Sequence, residues 1–165
     1  GAMPRVRARD ILNLDPQTPC LLFPADPSRP EKRYDRAEAL AEAVKARLLT
    51  LGGVDPERVP LYVNAANAAI VPSEREGFGL AVLEALACDV PVLATPVGIH
   101  AQALDGVAGT LCAAFELERW GAALAPHLAA EDPRVDGRAH AERFSAQRMA
   151  EQVAAAWRSL VAEAG

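Results

Sequence analysis

Glu76 and Glu84 stand eight positions apart, with Gly77-Phe78-Gly79 and the start of an apolar run between them. The run Leu80–Ala87 has helical spacing, and a short apolar stretch, Ala68–Val71, reads as a buried strand just ahead. A strand, a glycine turn and a helix start together make a place for an anion. The first N–H groups of a helix have no internal partner, and the helix dipole puts partial positive charge there. Gly77 and Gly79 let the backbone approach a ligand, since no Cβ intervenes. Carboxylates beside such a site would repel a phosphate at contact. They fit if each accepts hydrogen bonds from hydroxyls on one side of the phosphates. A ligand with hydroxyls at both ends and phosphates between them is a nucleotide sugar.

The stretch from Ser73 to Val92 contains Glu76-Gly77-Phe78-Gly79, then Glu84-Ala85-Leu86-Ala87, then Pro91-Val92. In this order it resembles the signature of the group 1 retaining glycosyltransferases of the GT-B fold, and the resemblance runs over roughly residues 19–161. It implies an α/β, Rossmann-like three-layer domain with a parallel sheet, one half of a GT-B fold. It also implies transfer of a sugar from a nucleoside-diphosphate sugar to an acceptor. By the same resemblance, Glu84 accepts hydrogen bonds from the ribose hydroxyls, and Glu76 contacts the transferred sugar near the reacting carbon. Gly77, Phe78 and Gly79 offer backbone N–H groups to a sugar hydroxyl, and Leu80 and Ala81 offer theirs to the β-phosphate. Phe78 serves equally well as a packing residue. Ser73 either hydrogen-bonds the ligand or caps the turn.

The family places an arginine and a lysine after its first strand, where fixed cations stabilise the charge that bond cleavage leaves on the diphosphate. Lys32 matches the lysine. The usual arginine position, five residues earlier, is Pro27; Arg29, three residues before Lys32, is the available arginine, and Arg33 competes with Lys32. Gln102 stands near a position where the family often has a glutamate. His100 reads as a surface-loop histidine on the ligand edge, and His127 and His140 as solvated side chains on helices.

The remaining elements must bring these residues together. Strands are expected at Cys20–Pro24, Ala68–Val71, Pro91–Thr95 and Gly109–Cys112, with a further short one at Leu49–Leu51. A short helical turn fits Arg9–Leu14. Helices are expected at residues 33–50, 60–67, 80–87, 116–130 with a kink at Pro126, and 139–163. Residues 97–103 read as a loop. Alternating strands and helices give a parallel sheet covered on both faces, and its ligands bind beyond the strands' C-terminal ends. Loops 25–32, 73–79 and 96–100 then converge on one edge. The chain is short between Thr50 and Asn67, where the family usually spends another strand–helix unit.

At 165 residues the chain is one domain with room for a core. A net charge of −5 argues against general nucleic-acid binding. Cys20, Cys88 and Cys112 are scattered and odd in number, which fits a reducing cytoplasm and neither a disulfide framework nor a metal site. No apolar run reaches the roughly 18 residues of a membrane span. Gly1-Ala2-Met3 reads as an expression-tag remnant, which leaves 4–165 as the donor-binding domain without the N-terminal acceptor domain, its expected partner. Such a half is expected to be weakly active or inactive alone, to need no cofactor besides its donor substrate, and to dimerise through the apolar residues around Trp157.

Alternatives differ in class. Gly77–Val82 loosely fits a dinucleotide fingerprint, but the next strand ends Ala94-Thr95-Pro96 without the acid that would hold a ribose. Asp-x-Asp and Gly-Lys-Ser/Thr motifs are both absent from the sequence. An epimerase of the same fold, or a non-catalytic nucleotide-binding or assembly module, remains open. A phosphorylase would need a pyridoxal-phosphate lysine, and neither Lys32 nor Lys45 has that setting.

Overall fold

The computed structural model describes residues 1–164. Among these, the strands β1 (Cys20–Phe23), β2 (Arg47–Thr50), β3 (Ala68–Val71), β4 (Val92–Ala94) and β5 (Leu111–Cys112) form a parallel sheet in the order β2-β1-β3-β4-β5. Successive side chains of a strand point to opposite faces, and both faces here are apolar. Leu21, Phe23, Ala68, Ile70 and Leu93 face α2 (Tyr34–Val44) and α6 (Leu117–Ala129), around Leu40, Trp120 and Leu124. Leu22, Ala69, Val71, Val92 and Ala94 face the other way, toward α3 (Val59–Ala65), α4 (Leu80–Ala87) and α5 (His100–Leu104). The three layers are those expected.

Strand order reverses between β1 and β3: the chain steps from β1 outward to β2, then returns to β3 and steps the other way. Loops leaving β1 and β3 therefore diverge, and a crevice opens between them beyond the strand ends. A backbone hydrogen bond from Glu74 N–H to the Glu31 carbonyl, 2.9 Å, ties the far ends of the two loops together.

Several elements depart from the sequence reading. The helix expected over 33–50 stops at Val44, because Lys45 turns left-handed at φ 58° and sends the chain back as β2. Leu48, which continues the helical spacing, instead lies in that strand, which begins two residues ahead of the short strand expected at Leu49–Leu51. Residues 100–103, expected as loop, lie in α5, a helix without a side-chain cap to announce it. Helix α6 runs as one helix through Pro126, which lies in its last turn. The first helix, α1 (Arg5–Ile11), begins earlier than the turn expected at Arg9–Leu14.

Arg9, unremarked in the sequence, is fully buried at the opposite end of the sheet. Its guanidinium donates to the carbonyls of Ala65 (2.8 Å) and Thr18 (2.6 Å) and to Asn67 Oδ1 (2.8 Å). Burial pulls its pKa below the usual arginine value. The final helix, α7 (Arg138–Ala164), packs on α4 through its first turns and leaves Met149, Val153, Trp157, Leu160 and Val161 exposed. Among the described residues, no helix is long and apolar enough to cross a membrane.

Candidate functional site

The crevice has two chambers that share Pro24, Leu80 and Ala81 as a divider. The outer chamber, about 480 Å³, is polar on the side of the β1 loop, where Arg29 and Lys32 reach it, and is bounded opposite by Glu76 to Ala81. The inner one, about 210 Å³, is lined by apolar side chains, among them Leu22, Leu51, Val59 and Val63, with Glu84 as its one charged group. So Glu76 and Glu84 fall in different chambers, at either side of the α4 N-terminus. Among the described residues, the N–H groups of Gly77, Phe78, Gly79, Leu80 and Ala81 have no hydrogen-bond acceptor, and these residues line the outer chamber between the two carboxylates.

Local sequence explains this lining. Gly79 caps α4 at φ 66°, a left-handed conformation that side chains disfavour. A Cβ on it would come within 2.4 Å of Ile99 Cγ1, so the turn lies directly on the start of α5. A Cβ on Gly98 would come within 3.2 Å of Glu76 Cβ. Phe78 is 83% exposed and stands at the rim, so the packing role open to it in the sequence is not the one it has here.

Glu76 is held on both oxygens. Lys32 Nζ lies 2.9 Å from Oε2, and Ser73 Oγ donates to Oε1 at 2.6 Å. The glutamate side chain is only 6% exposed and the lysine's 16%. Ser73 is itself buried, behind Glu76, so its hydroxyl acts on the carboxylate. Arg33 turns away from the crevice to Asp35 and Glu74, which leaves Lys32 as the cation beside Glu76. Arg29 lines the chamber but is largely exposed and paired with Glu31 at 2.9 Å. Asp26, which the sequence reading passed over, also lines this chamber; its Oδ1 accepts from Ser28 N–H, which holds its carboxyl below the usual range.

All three histidines differ from expectation; His140, read as solvated, has its Nε2 buried without a partner among the described residues. His100 is fully buried on α5, not in a surface loop. Its Nδ1 lies 2.9 Å from the Thr95 carbonyl, and burial lowers its pKa below the ordinary histidine value. His127 is not simply solvated: its Nε2 lies 2.8 Å from the Gly109 carbonyl. Thr95, another residue the motif did not flag, is buried and donates to the Ser73 carbonyl at 2.6 Å.

A family model for glycosyl transferases group 1 matches residues 6–144. The chain belongs to that family. Among relatives of this group 1 glycosyl transferase chain, the D-inositol 3-phosphate glycosyltransferase of Mycobacterium avium (strain 104) is 36% identical over 126 residues. That match covers 73% of this chain and 30% of the relative, so the chain spans about a third of such a protein. Sucrose-phosphate synthase from Thermosynechococcus elongatus superposes with a TM-score of 0.67 at 26% identity, over 98% of this chain and 50% of that one. The C-terminal domain of the group 1 glycosyl transferase LpcC from Francisella tularensis has the same fold, with a TM-score of 0.64 at 15% identity, over 86% of this chain and 93% of that one. The fold is thus that of one Rossmann-like half of a GT-B glycosyltransferase, the C-terminal one.

Proposed function

We propose that this chain is the donor-binding half of a retaining glycosyltransferase that moves a sugar from a nucleoside-diphosphate sugar to an acceptor hydroxyl. The observation that carries the reading is the pair of chambers, one carboxylate in each, joined by a run of residues with unpaired N–H groups, with Lys32 opposite. The apolar inner chamber takes the base, with Glu84 accepting hydrogen bonds from the ribose hydroxyls. The diphosphate crosses the start of α4 and receives the N–H groups of Leu80 and Ala81. The sugar occupies the outer chamber, against Gly77 to Gly79 and Glu76.

Without ligand, Lys32 and Glu76 neutralise each other. Donor binding divides the pair: Lys32 turns to the diphosphate, Glu76 to sugar hydroxyls. When the bond from the anomeric carbon to the phosphate oxygen breaks, the leaving diphosphate gains a negative charge. Lys32, Arg29 and the helix start stabilise that charge as it develops. Acceptor recognition falls to an N-terminal domain, so residues 4–165 alone bind donor and transfer sugar weakly or not at all. The M. avium relative is named for the acceptor D-inositol 3-phosphate, which points to a phosphorylated cyclitol as the first acceptor to try. The full protein works in the cytoplasm, where nucleotide sugars are available.

Thermal unfolding in UDP, GDP, ADP and TDP tests this. A ligand that binds only the folded state stabilises it by about 2.7 kcal/mol at a hundredfold excess over its Kd. One diphosphate should raise Tm, and Glu84→Ala should abolish the rise. No shift with any of the four, in this chain and in the full-length protein, would refute the donor reading.

A further inference from the structure

We propose that His100 is a positioning residue of this site: as a neutral imidazole beneath the Glu76–Gly79 turn, it sets the place of Glu76 through Thr95 and Ser73. The inference rests on the donor-binding reading of the cleft. A carbonyl can only accept, so the 2.9 Å contact with the Thr95 oxygen puts the ring hydrogen on Nδ1 and leaves Nε2 bare. From there the constraint passes along the chain of hydrogen bonds. Thr95 Oγ1 donates to the Ser73 carbonyl at 2.6 Å, and Ser73 Oγ donates to Glu76 Oε1 at 2.6 Å. The same ring reaches the other end of the turn. Its Cδ2 lies 3.8 Å from where a Cβ on Gly79 would stand.

Packing alone does not account for a histidine here. Nε2 is buried without a partner among the described residues, and an unpaired buried acceptor is unfavourable. A leucine would fill the space without it. Protonation would be worse. The charged groups that act on the ring are Glu76 from the turn and Lys32 from the β1 loop. Of the elements around it, β4 and β5 carry no charged residue and α4 carries only Glu84, which lines the inner chamber; Asp105 flanks the far end of α5. A second hydrogen on Nε2 would therefore seek Glu76, whose oxygens already serve Lys32 and Ser73. The turn would have to rearrange, and donor affinity would fall on the acid side.

The test follows two readouts on the whole chain: the ¹³C chemical shift of the Glu76 carboxyl at neutral pH without ligand, and the affinity for whichever nucleoside diphosphate stabilises it. An asparagine amide can stand where Nδ1 stands, whereas a glutamine amide stands nearer Nε2. In His100→Leu and Thr95→Val, the Glu76 signal should move and affinity per folded molecule should fall by up to about tenfold, the size of one lost hydrogen bond between uncharged groups. His100→Asn should restore both, and His100→Gln should not. An unmoved Glu76 signal in Thr95→Val, or Asn and Gln variants that behave alike, would overturn the proposal. Thr95→Val tests the link from Thr95 to Ser73 alone, and the Asn and Gln variants test His100 even where His100→Leu does not fold. Should neither the wild-type chain nor the full-length protein bind a diphosphate, the donor reading fails, while the Glu76 signal still judges His100.

Discussion

Gly79→Ala is the sharpest test of how the turn is built. Gly79 holds φ 66° and ψ 25°, and an L-residue pays about 1–2 kcal/mol for that conformation. The new Cβ would stand 2.4 Å from Ile99 Cγ1 and 2.7 Å from Cδ1, so Ile99 must move. Overpacking of this kind costs about 1–3 kcal/mol. Together the two effects predict a loss of roughly 2–5 kcal/mol in urea unfolding, within the 5–15 kcal/mol of a typical domain. The two can be separated. In a double-mutant cycle with Ile99→Ala, the steric part should return as a coupling of about 1–3 kcal/mol, while the backbone part stays. Gly77→Ala is the control: its Cβ would meet nothing within 4 Å and its φ is not left-handed, so its stability should change by less than about 0.5 kcal/mol. A Gly79→Ala protein as stable as wild type, or one whose loss Ile99→Ala does nothing to relieve, would refute the account.

Other outcomes can be checked alongside. Lys32→Met should weaken diphosphate binding by calorimetry by about 1.5–3 kcal/mol, the range for hydrogen bonds to charged groups; equal affinity would remove Lys32 from the site. Arg9→Met should lower unfolding stability by about 3 kcal/mol or more, since it removes a buried donor that serves four backbone carbonyls and Asn67 Oδ1. Burial lowers the His100 pKa in the fold, so between the unfolded value near 6.5 and the lower folded one the unfolded chain holds the extra proton. Stability should therefore fall as pH drops through that window, by up to about 1.4 kcal/mol per unit, and His100→Asn should flatten the slope. The exposed stripe on α7 predicts concentration-dependent dimers in sedimentation velocity, removed by Trp157→Glu; a monomer at every concentration would count against it.

What the sequence determined is local. The Glu76–Glu84 spacing, the two glycines and the apolar run after them specify a turn and a helix start, because unpaired N–H groups and missing Cβ atoms are properties of neighbours in the chain. The apolar runs at 20–23, 68–71 and 92–94 likewise specified buried parallel strands. What the tertiary structure decided depends on contacts across the chain. Lys45 turns left-handed, which moves Leu48 from a helix face into β2; nothing in its spacing separates the two. Strand reversal between β1 and β3, fixed by pairing over long separations, sets Lys32 against Glu76, 44 residues away. It also decides that Lys32 and not Arg33 is the cation there, since Arg33 finds Asp35 and Glu74 on the outside. His100 and Thr95 matter only once α5 lies under the turn. Their partners come from the backbone of other loops, and a backbone carbonyl has no signature in a sequence.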